Sequence, residues 1–180
     1  TWKTFHRLQQ GMQTPVRLTI PSVRTLDKLV KTVSRQIMAD SASLSGLLND
    51  STFCAHLGYN SNTLPALFIP DTYEVYWTIT PEQFVERMQK EHKRFWNEER
   101  IKKAQHIGFT PVEIVTLASI VEEETINNAE KPMVAGLYIN RLHKGMPLQA
   151  DPTVKFALQD FTLKRIRHKH LECDSPYNTY

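Results

Sequence analysis

Apolar and polar residues alternate along Val16-Arg17-Leu18-Thr19-Ile20, the period of a half-buried strand, and Pro21 ends the run. Beyond it Leu26, Leu29, Val30, Val33 and Ile37 recur at helical spacing, which predicts a helix with a single apolar face. Residues 40–62 are rich in Ser and Asn with short apolar pieces such as Leu47-Leu48, a composition that predicts one or two short helices. From Leu64 to Tyr73 the chain is bracketed by Pro65 and Pro70 and reads as an extended crossing between lobes. The expected division is therefore a small strand-helix lobe over 1–75 and a mainly helical region with short strands over 76–180, an α+β fold.

Two helix starts carry the same signature. Thr80-Pro81-Glu82-Gln83 and Thr110-Pro111-Val112-Glu113 each offer an N-cap hydroxyl, a proline at N1 and a side-chain acceptor at N3. The first helix presents Phe84, Met88 and Phe95 on one face. On the second, a wheel of 100° per residue gathers Ile114, Leu117, Ala118, Val121 and Thr125 into a stripe. That helix ends on Glu122-Glu123-Glu124. Glu123 falls opposite the stripe, Glu122 borders one edge behind Ala118, and Glu124 borders the other behind Val121 and Leu117. Periodicity thus leaves Glu122 and Glu124 both open.

The next apolar face is Val134, Leu137, Tyr138 and Leu142, with Arg141 inside it. A guanidinium on such a face needs an anionic or carbonyl partner, and an acidic residue of the preceding helix is the expected one. Gly145 fits the C′ position that closes this helix. Residues 146–150 then read as extended, with Asp151 as N-cap and Pro152 at N1 of another helix. Gln149 and Asp151, two apart, share a side of that segment.

Composition narrows the classes. A chain of 180 residues with 41% hydrophobic content can bury a core and is not expected to be disordered. Its longest apolar run, Ile114 to Val121, is interrupted by Thr116 and Ser119, well short of the roughly 18 residues a membrane span needs. The chain opens on Thr1 without a basic leader and stops at Tyr180, so a piece of a longer protein is expected. A net charge of +3 is slight. Basic residues concentrate only in Lys164-Arg165-Ile166-Arg167-His168-Lys169-His170, read as a solvated loop, and no nucleic-acid partner is expected. Cys54 and Cys173 are too few and too distant for a disulfide framework or zinc knuckle. Glu122, Glu124, His143 and Asp151 could be imagined around a metal, but no pair has the usual helical His spacing, and no metal is expected.

A carboxylate at the border of an apolar stripe is partly desolvated, which raises its pKa, and neighbouring anions push the same way. A carboxyl held protonated near neutrality serves as a general acid, the role such groups play at glycosidic bonds. The alternative is an acidic helix end that is merely solvated or paired.

Four blocks then carry a resemblance: Ala118-Ser119-Ile120-Val121-Glu122-Glu123-Glu124-Thr125, Tyr138-Ile139-Asn140-Arg141-Leu142 closing the helix from Val134, Leu148-Gln149-Ala150-Asp151-Pro152-Thr153-Val154, and Tyr177-Asn178-Thr179-Tyr180. In order and spacing they resemble the YceG-like family of endolytic murein transglycosylases, densely from Pro111 to Tyr180 and more weakly back to about Thr14. The resemblance implies a bacterial enzyme of the inner membrane, its catalytic domain outside the cytoplasm and its anchor outside this chain. It implies cleavage of peptidoglycan glycan strands between N-acetylmuramic acid and N-acetylglucosamine, leaving 1,6-anhydromuramyl ends and terminating or trimming nascent glycan. Glu124, the last glutamate of the Glu-x-Glu-Thr block, would be the catalytic acid/base. Gln149, Asp151, Tyr177 and Asn178 would bind the sugar, with Glu122 and Arg141 in support. No cofactor is implied, and the partners are glycan strands and the synthases that make them. On this reading 1–75 is the remnant after a LysM-like region, and 76–180 is a catalytic region truncated at its carboxyl end.

Two alternatives belong to other classes. One is a noncatalytic peptidoglycan-binding module. The other is the small-molecule lyase implied by the family's second label, aminodeoxychorismate lyase. A pyridoxal-phosphate enzyme needs a Schiff-base lysine and a phosphate cup, and six glycines without a glycine-rich loop argue against it.

Overall fold

The computed structural model describes residues 2–180. Its elements are α1 (Trp2–Gln9), β1 (Val16–Ile20), α2 (Leu26–Ser34), α3 (Ser41–Asn49), α4 (Ser51–His56), a 3-10 turn (Leu64–Leu67), β2 (Asp71–Val75), α5 (Pro81–Phe95), α6 (Glu98–His106), α7 (Pro111–Glu124), α8 (Lys131–His143), α9 (Asp151–Ala157) and α10 (His168–Leu171). The fold is α+β, with one two-stranded antiparallel sheet among the described residues and the other elements helical. Contacts divide it into two compact units, one ending at Lys103 and one running from Ala104 to Tyr180.

In the first unit β1 pairs with β2 from Val16 opposite Val75 to Ile20 opposite Asp71. Alternation sends Leu18, Ile20, Tyr73 and Val75 inward and leaves Thr19 and Thr72 outside, their hydroxyls 3.0 Å apart. Two strands alone are marginal in water, so the ribbon depends on the helices packed over its apolar face. Leu29, Val30 and Val33 of α2, Leu44 and Leu48 of α3, and Phe84, Val85 and Met88 of α5 share that core. The free edge of β1 is occupied by Gln36, whose amide accepts from Thr19 N–H at 3.0 Å and donates to Thr19 O at 2.9 Å.

The stretch expected to cross between lobes lies inside this unit. Pro65 is the second residue of the 3-10 turn, which buries Leu64 and Leu67, and Pro70 precedes β2, where a missing N–H costs no ladder bond. Because α5 fills the same core, the division falls after Lys103 rather than near residue 75.

In the second unit Thr110 caps α7 in a capping box closed by Glu113, and Gly145, at φ 65, follows the end of α8. The core is small: Leu117, Val121, Tyr138, Leu148 and Ala150, with Ile120, Val134, Ala135 and Ile139 packed against it. Both helices are turned slightly from the expected stripes. Ala118 is exposed while Ile120 packs inward, and Leu137 and Leu142 are exposed while Ala135 and Ile139 pack. A helix apolar on more than one side does not declare which stripe will be covered. Among the described residues no single helix is long and apolar enough to cross a membrane.

Candidate active site

Helix α7 stops at Glu124 because Thr125 leaves helical geometry at φ −141, ψ 136, its N–H still bonded to Val121 O. Glu124 follows Leu117, Ile120 and Val121 by seven, four and three residues, so the α7 turn that faces the core also carries this carboxylate toward α8. There it meets Tyr138. Tyr138 is 4% exposed, and the Glu124 carboxylate lies close enough to act on its phenol. Burial first, then the nearby Glu124 carboxylate and the proximity of Tyr180, push the Tyr138 phenol up to about 12, with Arg141 opposing.

One expectation is corrected at this point. Glu124 itself is exposed, so the shelter expected from the stripe's edge is supplied to its partner Tyr138 and not to the carboxylate. As the last residue of α7 it has the core beneath it only on the side of the preceding turn. Glu122, on the other border, is held by Lys131, with Nζ 2.5 Å from Oε2. The turn between the helices is set by Glu130, whose carboxylate accepts from Thr125 Oγ1 at 2.8 Å and Asn127 Nδ2 at 2.9 Å; these bonds lower its pKa.

Arg141, half-buried, finds carbonyl partners instead of an acid of the preceding helix. Its Nε donates to Pro147 O at 2.8 Å and its Nη2 to Gln149 Oε1. Gln149 has φ 55, in the left-handed region that favours glycine. The 177–180 segment ties this bend down: Gln149 N–H donates to Thr179 O at 2.9 Å and Ala150 N–H to Thr179 Oγ1 at 3.1 Å. Thr153 Oγ1 donates to Ala150 O at 2.7 Å and lies 2.8 Å from Thr179 Oγ1. With the single Thr153 proton spent on Ala150 O, Thr179 is the donor in the hydroxyl pair.

Asp151, expected as an N-cap, is the first residue of α9 behind Ala150. Its Oδ1 accepts from the Tyr180 hydroxyl at 2.6 Å. Tyr180 is pushed up to about 12 by burial, by that hydrogen bond and by the charges of Asp151 and Glu124, against Arg141. Asn178 spends its amide internally: Nδ2 donates to Leu171 O at 2.8 Å and Cys173 O at 3.0 Å, and Oδ1 accepts from Tyr180 N–H at 3.1 Å. Tyr177 stands edge-on to Phe156, ring centres 5.0 Å apart, and remains 39% exposed.

The residues read from sequence therefore sort themselves. Glu124, Arg141, Gln149 and Asp151 belong to one polar cluster, Asn178 and Tyr177 shape the segment that borders it, and Glu122 is engaged elsewhere. Tyr138, Thr179 and Tyr180 were not among the expected site residues, although Tyr138 shares a face with Arg141 and both Thr179 and Tyr180 stand in the last of the four blocks. His143 stacks on Phe109, and its Nε2 lies 2.9 Å from Ile107 O. Among the described residues no three His, Cys, Asp or Glu side chains are arranged to hold a metal ion. Chemically, the cluster offers one exposed carboxyl beside a buried phenol, with a row of hydroxyl, amide, guanidinium and carboxylate groups next to it. Such a row suits a ligand rich in hydroxyl and amide groups.

The chain matches the YceG-like family over residues 1–180. The endolytic murein transglycosylase of Bacillus subtilis (strain 168) is 48% identical over 67 residues, 37% of this chain and 18% of that protein. The endolytic murein transglycosylase of Streptococcus pneumoniae serotype 2 (strain D39) is 27% identical over 91% of this chain and 34% of its own length. This chain thus spans 34% or less of these two relatives. Among solved structures, a YceG-like protein from Listeria monocytogenes superposes with a TM-score of 0.77 at 28% identity, covering 99% of this chain and 64% of that one.

Proposed function

The chain belongs to the YceG-like family, and from that premise we propose that it is the catalytic part of a lytic transglycosylase. Its substrate is the peptidoglycan glycan strand, cut internally between N-acetylmuramic acid and N-acetylglucosamine. The observation that carries the reading is the exposed Glu124 carboxyl at the end of α7, close enough to act on the Tyr138 and Tyr180 phenols and flanked by the Arg141, Gln149, Asp151 and Tyr180 row. The names of the Bacillus and Streptococcus relatives support it.

In this mechanism Glu124, protonated in the substrate complex, gives its proton to the glycosidic oxygen as the bond to C1 of the muramyl residue breaks. The same sugar's 6-hydroxyl attacks C1, and Glu124 takes back the hydroxyl proton. The products are a 1,6-anhydromuramyl end and a free hydroxyl on the departing sugar, with no water consumed. Ordinary glycosidases place two carboxyls roughly 5 to 9.5 Å apart so that the second can attack or activate water. Intramolecular attack removes that requirement and gains the effective concentration of a tethered nucleophile. A saccharide lying over Glu124 excludes water, supplying the desolvation that favours the protonated carboxyl.

Gln149, Asp151, Tyr177 and Asn178 are assigned to the sugar and its acetamido groups, Asn178 through the shape of the segment it holds. Arg141 orients Gln149, and Glu122 supports the helix end through Lys131. The protein acts outside the cytoplasm, at the inner membrane. It trims or terminates nascent glycan beside the synthases that extend it. Digestion of purified sacculi with the wild type and with Glu124→Gln, followed by mass spectrometry of the fragments, tests this. Anhydromuramyl ends from the wild type and a loss of at least about a hundredfold in the variant are expected. Reducing ends, or undiminished product from Glu124→Gln, would refute it, and binding without cleavage would identify a noncatalytic glycan-binding module.

A further inference from the structure

We infer that the basic run from Lys164 to His170 forms a second binding site, sharing no residue with the Glu124 cluster, and that its ligand is a diphosphate group. The inference does not depend on the catalytic reading.

By composition the run passes for a solvated loop. Folded, Lys164, Arg165, Arg167, Lys169 and His170 line one hollow of about 360 Å³, and no acidic residue is among its lining. The four fixed cations are exposed, and among the described residues none of them stands in an ion pair. Arg87, Lys90, Lys102, Lys103 and Lys131 each have a carboxylate partner. The contrast matters because those four charges alone exceed the net charge of the whole chain, +3. Like charges gathered around one concavity repel, and its walls reduce the screening that open water provides. An anion in the hollow relieves that repulsion.

The loop is shaped before any ligand arrives. At its start Asp160 Oδ1 accepts from Thr162 N–H at 3.0 Å and from Thr162 Oγ1 at 2.6 Å, so this carboxylate is spent on the turn and not on a cation. At its end Arg167 N–H donates to His170 Nδ1 at 3.1 Å. With Nδ1 accepting, the neutral imidazole carries its proton on Nε2 and adds a donor to the lining. Beyond α10, Asn178 Nδ2 donates to Leu171 O at 2.8 Å and Cys173 O at 3.0 Å, which fastens the exit of the loop to the 177–180 segment. Glu172 and Asp174 lie on that exit, outside the lining. A loop held at both ends loses little freedom on binding.

Charge and shape select the anion. A single carboxylate would leave most of the four cations uncompensated. Each guanidinium fork matches two phosphate oxygens, and each lysine supplies a point charge. A phosphate group carries about −1.5 to −2 near neutrality, so two linked phosphates come nearest to balancing Lys164, Arg165, Arg167 and Lys169. A concave site suits a compact group more than a polymer lying along a flat basic face. Free diphosphate and a phosphate-bearing lipid headgroup offer the same chemistry.

Inorganic diphosphate is titrated calorimetrically into the 180-residue chain, into Arg165→Gln/Arg167→Gln, and into Lys90→Gln/Lys102→Gln, which removes the same charge from α5 and α6. Citrate serves as the carboxylate comparison. One saturable diphosphate per chain is expected, weakened at least about tenfold by the substitutions in the hollow and changed less than about twofold by those on α5 and α6, with citrate at least about tenfold weaker. Should Arg165→Gln/Arg167→Gln not fold, Lys164→Gln/Lys169→Gln carries the same expectation. Cosedimentation with phosphatidylglycerol vesicles then separates the sources, both of which uphold the site: pelleting that diphosphate reverses identifies a lipid headgroup, and otherwise the ligand is soluble. No saturable diphosphate binding, equal weakening by the two sets of substitutions, or citrate bound as tightly as diphosphate overturns the inference.

Discussion

Replacing Thr179 by valine removes one oxygen from the clasp over Gln149 and Ala150 and changes almost nothing in volume. Ala150 is fully buried, and its N–H has Thr179 Oγ1 as acceptor at 3.1 Å. Leaving a buried N–H unpaired costs about 1–3 kcal/mol. Thr153, 7% exposed, keeps its own donated bond to Ala150 O and loses only the one it accepts from Thr179, about a further 0.5–1.5 kcal/mol. A loss of about 2 kcal/mol is the conservative sum, and at about 1.4 kcal/mol per decade it is roughly thirtyfold. Amide hydrogen exchange of Ala150, followed by NMR in Thr179→Val, should accelerate by about that factor. The Gln149 amide is the internal reference, since its acceptor is the residue 179 carbonyl, which valine retains. Peptidoglycan cleavage should fall with the loosened clasp. Ala150 exchange within about threefold of wild type would refute the hydrogen-bond accounting.

Glu113 titrates below its ordinary value because the Thr110 backbone N–H and then the Thr110 hydroxyl hydrogen-bond to its carboxylate. A depressed carboxyl stabilises the fold above its unfolded pKa of about 4.5, and that contribution disappears as pH falls through the lowered folded value. Glu113→Gln keeps an acceptor at N3 and should flatten this part of the acid-unfolding curve measured by circular dichroism; an unchanged curve would argue against it. Lys131→Ala breaks a pair in which Glu122 is half exposed, so it should cost less than about 1 kcal/mol in urea unfolding and leave cleavage near wild type. A large loss of activity would mean Glu122 has a direct role.

Legibility differed between local and distant signals. Both capping boxes stand as spelled, at Thr80 with Gln83 and Thr110 with Glu113, because every group involved lies within one turn. Strand β1 was legible from its alternation, and α3 and α4 from a Ser/Asn-rich stretch in which Asp40 and Asp50 act as caps. Strand β2 was not, since its pairing with β1 is a contact between distant segments and the flanking prolines dominate the local pattern. At the site, periodicity narrowed the acidic triplet to two. What separates them is the turn of α7 that packs Ile120 and exposes Ala118, a choice made by tertiary contacts. Tyr138 counted as apolar on the wheel, which does not register that a buried ring carries a hydroxyl needing a partner. Tyr180 reaches Asp151 across 29 residues, beyond any local spacing rule.

Gln149 imposes two filters on its own position. Its backbone is bent to φ 55, a region that few side chains enter without cost, and its side-chain oxygen must still reach the Arg141 guanidinium. Glycine would relax the bend but forfeit the oxygen, and a β-branched residue fails on both counts. Saturation mutagenesis should therefore find this site nearly closed to variation, with asparagine the mildest replacement, while Met133, exposed on the helix before it, accepts most residues.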